Sequence, residues 1–412
     1  MTRSRLCGSA LVRAAFTWVL LFGHAGHAVA QELDLPPPGG APEAWLVTYG
    51  PGEIYWQRFG HNAIWLREPD GELDHVFNFG YFDFRQEAFL KRFVMGRMLY
   101  FSAAQPALRE FAQYQREQRS ISVQPLNLAP AQYRRLRDHL VRQVQPEHRD
   151  YLYDYYLDNC STRIRDALDV ALDGAFASRW SAQPAGQNFR DHTRRSVASD
   201  FWYYLGLEAG LGRPVDRDIS AWDEMFLPAK VAHYAAQHTS SGVPLTGPAH
   251  AVYAGAVAPP PDEPGFSWWR YLAAGLGLLL FFALLARAAG PVMAEGAALA
   301  WLLISASNGV LLAFLWWATD HAAAAQNFNI LLFNPLFLLG LLPPLRRPVA
   351  WLMLLGLGVA ALQGAFPGGQ YNLDVVAFVA PLHLAGAWAL FGKAAGIDPW
   401  FNPPASGARS RS

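Results

Sequence analysis

The chain has 412 residues, with 33 basic and 33 acidic side chains and a formal net charge of zero. That balance argues against nucleic acid as a partner, and 52% hydrophobic residues with 15 tryptophans argue for contact with lipid. Only two cysteines are present, so no disulfide framework and no paired-cysteine metal site can be built.

Residues 1–30 read as a secretory signal peptide. Arg3 and Arg5 precede an apolar stretch, and Ala28-Val29-Ala30 forms a small-residue cleavage site before Gln31. Arg13 and His24 interrupt the apolar region, so an uncleaved anchor is the alternative. Cleavage would remove Cys7 and leave Cys160 as the single cysteine of the mature chain.

An exported domain is expected over 31–245. Trp45 to Tyr49 and Phe59 to Leu66 read as strands, Glu68-Pro69-Asp70-Gly71 as a turn, and His75 to Phe79 as a returning strand. With Pro69 and Asp70 at the centre of the turn, Leu66 would face Leu73 and His61 would face Asn78. A shifted register would favour His75 instead. Residues 83–115 look helical and mixed, Ser120 to Gln124 look like a strand, and 129–144 carry a helical stripe of Tyr133, Leu136, Leu140 and Val144. An aromatic strand from Tyr151 to Tyr156 leads to Asp158 and Asn159, which offer capping chemistry to a helix beginning near Cys160. Residues 190–211 suggest a loop and an aromatic helix, and 246–267 a linker rich in Pro, Gly and Ala.

A membrane domain is expected over 268–395, with spans near 268–286, 297–318, 328–345, 349–366 and 375–392. If the middle of the chain is exported, Arg287, the Arg346-Arg347 pair and Lys393 fall inside, as the positive-inside rule requires. Residues 396–412 would then be a cytoplasmic tail. Asp320, His321, Asn327, Asn329 and Asn334 fall at the outer side, with Tyr371, Asn372 and Asp374. Such groups suit either headgroup and substrate binding or helix capping.

The chemistry centres on Cys160. A thiol at a helix N-terminus feels unpaired N–H groups and the positive end of the helix dipole, which favour thiolate. A histidine within reach would take and return the proton, and a third polar group would orient the ring. His61 on a core strand is the candidate base, with Asn78 or His75 as orienter. The alternatives are a buried inert thiol, an intermolecular disulfide and a satisfied core histidine. The histidines are scattered, with no H-E-x-x-H, and no metal or other cofactor is expected.

Gly60-His61-Asn62-Ala63, the run Asn78 to Phe84, Asp158-Asn159-Cys160-Ser161-Thr162 and Met225-Phe226-Leu227-Pro228 resemble the Lnb family. The resemblance continues through Thr319-Asp320-His321, Asn327-Phe328-Asn329, Asn334-Pro335 and Tyr371-Asn372-Leu373-Asp374. The order histidine, polar residue, cysteine also resembles circularly permuted papain-like thiol enzymes. The implied fold class is α+β: a permuted papain-like exported domain, with an antiparallel sheet and a cysteine-bearing helix, followed by an all-α five-span membrane domain. The implied activity is lipoprotein N-acylation in the bacterial inner membrane, with the N-terminal domain periplasmic. Phospholipid would be the acyl donor and a diacylglyceryl lipoprotein the acceptor. The resemblance makes Cys160 the nucleophile, His61 the base and acid, and Asn78 or His75 the orienter. By position rather than by resemblance, Asn159 and the backbone amides at the start of the cysteine helix would stabilise the oxyanion, and the outer polar groups would bind a lipid headgroup or the incoming lipoprotein. A periplasmic thiol peptidase or amidase with the same dyad is the competing reading, and a non-catalytic scaffold or sensor is a third.

Overall fold

A computed structural model describes residues 32–240, 242–265 and 268–394. The signal-peptide and tail assignments therefore lie outside the described residues. The N-terminal part is built on a seven-stranded sheet in which every neighbouring pair is antiparallel. In chain order its elements are β1 (Glu43–Tyr49), β2 (His61–Arg67), β3 (Asp74–Tyr81), α1 (Phe89–Val94), β4 (Leu99–Pro106), α2 (Ala107–Arg116), β5 (Ile121–Pro125), α3 (Pro130–Gln143), β6 (Asp150–Leu152) and α4 (Cys160–Ala171). There follow α5 (Ala175–Trp180), α6 (Phe189–Val197), α7 (Phe201–Gly210), α8 (Pro228–Gln237), a small hairpin β7 (Thr239–Ser240) and β8 (Val243–Pro244), and β9 (His250–Tyr253). The sheet order is β6-β4-β3-β2-β1-β5-β9.

The central strands are apolar on both faces, because both are covered. Leu46, Ile64, Leu66, Phe77 and Phe79 pack in one core with Leu136 and Leu140 of α3 and Ile164 and Leu168 of α4. Trp45, Val47, Trp65 and Val76 belong to a second core with Phe111 of α2. The sheet thus lies between two helical layers.

Several expectations need correction. The β2–β3 register pairs Leu66 with His75 and Ala63 with Asn78, two residues from the register expected. The turn centres on Asp70-Gly71, since Gly71 takes a φ of +76° that Pro69 cannot supply. A shift of two keeps every side chain on its face. Residues 83–115 are not one helical region: β4 lies between α1 and α2 and carries the sheet to β6. The strand at 151–156 stops at Leu152, and 153–158 turn, with the Asp154 carboxylate accepting from the N–H groups of Tyr156 and Leu157. Residues 246–267 are not all linker, because β9 pairs with β5 at the sheet edge.

The C-terminal part contains α9 (Trp268–Ala289), α10 (Pro291–Ala318), α11 (Arg346–Gln363) and α12 (Leu373–Ala394). Among the described residues, four helices are long and apolar enough to cross a membrane. The stretch 328–345, expected as a helical span, is a succession of short 3-10 turns: Phe328–Leu331, Pro335–Leu341 and Pro343–Leu345. Pro335, Pro343 and Pro344 lack backbone donors, and Asn334 and Leu342, each preceding a proline, are extended. This stretch leaves the N-terminal part at Asn327 and reaches Arg346, which pairs with Glu295 near the far end of α10 at 3.2 Å. It runs in notches at Gly309 and Gly356, where any side chain would strike the backbone of Phe333 and Leu331.

Candidate active site

Three elements converge on one point. His61 opens β2, Asn78 lies near the end of β3, and Cys160 is the first residue of α4. Asn159 caps that helix: its Oδ1 accepts from the N–H groups of Ser161 at 2.9 Å and Thr162 at 3.0 Å, and its own N–H donates to Thr162 Oγ1 at 2.8 Å. The cap fixes Cys160 at the positive end of α4.

The sheet is interrupted where the helix arrives. The β3–β4 register slips between Asn78 and Tyr81, and Gly80 in that interval has a φ of +101°. A side chain at Gly80 would sit 3.5 Å from Cys160 Cβ and 4.0 Å from His61 Cε1. Glycine therefore supplies the left-handed conformation at this slip, beside both Cys160 and His61.

His61 Nε2–H donates to Asn78 Oδ1 at 2.9 Å, which leaves Nδ1 for the thiol. Burial pushes the Cys160 thiol up, but the charge and hydrogen bond of His61, with hydrogen bonds from Ser161 and the Asn62 backbone, hold it below its ordinary value. Burial likewise pushes the His61 imidazole down, and the charge and hydrogen bond of Cys160 raise it above its ordinary value despite nearby Arg119. The pair is mutually stabilised as thiolate and imidazolium. Cys160 is a free, half-buried thiol.

Behind Asn78 stands a carboxyl that the sequence reading missed. Glu110 is 1% exposed and accepts from Tyr81 OH at 3.2 Å and Tyr49 OH at 3.5 Å. Burial pushes its pKa up, opposed by His61, Tyr81, Asn78 and Tyr49 in that order. The available signal was its position: Ala107, Glu110, Phe111 and Tyr114 form one stripe of α2, and a carboxylate there has no solvent.

Cys160 and His61 lie in a cavity of about 970 Å³. Its walls are mostly apolar rings and aliphatic groups, including Phe79, Phe82, Tyr100, Tyr153 and Leu207. Leu315 and residues 320–324 extend the wall from the membrane part, so both parts of the chain build the cavity. Among the described residues, no group of three or more His, Cys, Asp or Glu is placed to hold a metal ion.

The remaining candidates fall into different places. His75 pairs across from Leu66 on the opposite face of β3 from Asn78, and its buried Nδ1 has no partner. Asn159 lines the cavity, with its amide already engaged: Oδ1 caps α4 and Nδ2 donates to the carbonyls of Tyr155 at 2.9 Å and Phe226 at 3.0 Å. Asp320 and His321 do line the cavity. Asn327 and Asn329 do not: Asn327 Nδ2 donates to the carbonyls of Ala209 and Gly210, and Asn329 Nδ2 to those of Glu208 and Ala209. They cap the last turn of α7 from the membrane part. Asn334 Oδ1 accepts from Leu336 N–H at 3.0 Å and caps a 3-10 turn.

Residues 42–198 match the Lnb N-terminal periplasmic domain, and residues 272–361 match the Lnb transmembrane domain. No curated protein and no solved structure matches the chain.

Proposed function

The chain belongs to the Lnb family, and from that premise we propose that it is a lipoprotein N-acyltransferase working through a Cys160 thioester. The two matches make it an inner-membrane protein with a periplasmic N-terminal region. The observation that carries the reading is the cavity: a paired thiol and imidazole sit within about 970 Å³ of mostly apolar wall shared with the membrane part. An acyl chain needs such a wall, and both substrates are anchored in the bilayer. We read the 3-10 stretch 328–345 as a fifth crossing, since it joins opposite ends of the bundle. The order of His61, Asn78 and Cys160, with the sheet before the helix, fits a permuted papain-like arrangement.

In the first half-reaction the Cys160 thiolate attacks the ester carbonyl of a phospholipid. The carbon–sulfur bond forms, the ester carbon–oxygen bond breaks, and the His61 imidazolium protonates the departing lysophospholipid oxygen. In the second, the α-amine of a diacylglyceryl-cysteine attacks the thioester and His61 accepts its proton. The carbon–nitrogen bond forms and the thiolate returns. Asn78 holds His61 with Nδ1 toward sulfur in both steps. Apolar walls limit water, the competing nucleophile.

The test is complementation in a bacterium depleted of its own lipoprotein N-acyltransferase, with lipoprotein N-termini read by mass spectrometry. Wild type restores the N-linked acyl chain, and Cys160→Ala and His61→Ala, expressed at the same level, do not. If the amine stays free with well-expressed wild type in a host where other exported Lnb proteins work, the acylation reading is wrong.

A further inference from the structure

The cavity mouth carries a rim of apolar side chains that the protein leaves bare. Phe84 is 64% exposed, Leu90 71%, Phe93 47% and Val94 40%. On the same cavity, Tyr55 is 55% and Trp56 63% exposed. All of these except Val94 line the cavity that holds Cys160. An exposed apolar cluster of this kind marks an interaction surface.

Its height relative to the membrane helices is fixed by contacts. The Asp320 N–H donates to the Met95 carbonyl at 2.9 Å, His321 Nε2–H donates to the Phe93 carbonyl at 3.1 Å, and Arg97 pairs with Asp320 at 2.5 Å. Gly96, with a φ of +72°, packs so closely that any side chain would strike the backbone of Asp320 and His321. Helix α1 is thereby held at the end of α10, immediately past Trp317, which is itself 68% exposed. Tryptophans at helix ends mark the level of the lipid headgroups. Arg85, Lys91 and Arg92 accompany the apolar side chains, the mixture found on helices that lie in that layer.

We propose that residues 84–94 form a lip inserted into the outer leaflet, and that a lipid acyl chain passes sideways between this lip and Tyr55-Trp56 to reach Cys160. The occupant of the rim is the bilayer itself, because the rim is continuous with the membrane helices and stands at their interfacial end. Insertion of the lip is independent of the acyl-transfer reading; the passage of the chain rests on it.

Insertion is tested in full-length protein with both native cysteines replaced by serine and one cysteine introduced as Leu90→Cys. The probe is an environment-sensitive fluorophore on that cysteine, in vesicles of phosphatidylethanolamine and phosphatidylglycerol. Blue-shifted emission quenched by lipids spin-labelled near the carbonyl supports the lip. Water-like, unquenched emission, equal to that of a label at exposed Leu108→Cys on α2, overturns it. For the passage, Leu90→Glu and Phe93→Glu in otherwise native protein lower the acylation rate by about tenfold or more, the scale set by losing one inserted apolar side chain. Alkylation of Cys160 by iodoacetamide stays unchanged in both. An unchanged acylation rate overturns the passage. Quenching at position 90 with no acylation by wild type retains the lip and removes the acyl-transfer reading.

Discussion

At the scale of single residues, the site is a balance between burial and pairing. Burial raises a thiol and lowers an imidazole, so each of Cys160 and His61 would be neutral if alone in this cavity. Together they shift in the opposite senses. The sign of the pH dependence follows. With the Cys160 thiol held below its ordinary value by His61, thiolate forms at lower pH than in a free thiol, so alkylation of wild type by iodoacetamide continues below the ordinary thiol range. In His61→Ala only burial and the weaker hydrogen bonds remain, and the alkylation profile moves to higher pH. An unmoved profile would remove His61 from the pair. Glu110→Leu leaves the Tyr49 and Tyr81 hydroxyls behind the site without their acceptor, and the same profile then shifts part of the way, with Glu110→Gln restoring much of it. A Glu110 that served only packing would lower stability in both variants and leave the profile in place.

At the scale of elements, the polar residues between the membrane helices act chiefly on backbone ends. The last carbonyls of a helix have no partner of their own. Those of α7, from Glu208 to Gly210, are met by Asn327 and Asn329, and the next, Leu211, by Gln370 at 3.0 Å. Asn372 in turn donates to Asn329 Oδ1 at 2.9 Å, and Tyr204 OH to Asp374 at 2.7 Å. Asn329→Leu buries two carbonyls with fewer donors and should cost about 1–3 kcal/mol. The expected result is a lower thermal midpoint in detergent and faster proteolysis between the two parts of the chain, while the alkylation profile of Cys160 is unchanged. If Asn329→Leu instead abolishes substrate binding at wild-type stability, the capping role is wrong.

At the scale of the whole molecule, the two parts are one machine because the membrane loops supply a wall of the cavity and caps for the N-terminal helices. In the broken stretch 328–345 a neighbouring helix meets one freed carbonyl: His383 Nε2–H donates to the Leu332 carbonyl at 2.8 Å, while His383 Nδ1 accepts from Trp301 at 3.0 Å. Topology gives a direct test. In protein whose native cysteines are replaced by serine, Phe366→Cys lies at the end of the bundle near the N-terminal part, and Val292→Cys at the other; the native side chains are 66% and 81% exposed. A membrane-impermeant maleimide should label position 366 in intact spheroplasts and position 292 only after permeabilisation. The reverse pattern would invert the orientation.

What the sequence by itself determined is local. Apolar period, capping residues and charge bias are written in neighbouring positions, so the central strands, the helix starting at Cys160 and the four long apolar helices were legible. The sequence left Asn78 and His75 both open as the partner of His61, and the structure chose Asn78, on the face that a register error of two preserves. What only the tertiary structure decided depends on what lies opposite. Asn327 and Asn329 serve α7, more than a hundred residues away, and nothing near them in the chain announces an unsatisfied carbonyl. Glu110 reads as an ordinary surface acid until α2 packs on the His61 face. The strand β9 inside 246–267 is short, and β4 inside 83–115, though eight residues long, runs through Ser102-Ala103-Ala104-Gln105-Pro106, so in both the pairing with distant strands outweighs weak local preference. The third apolar segment had the composition of a span, but its prolines and the glycine notches of its neighbours made it a chain of turns.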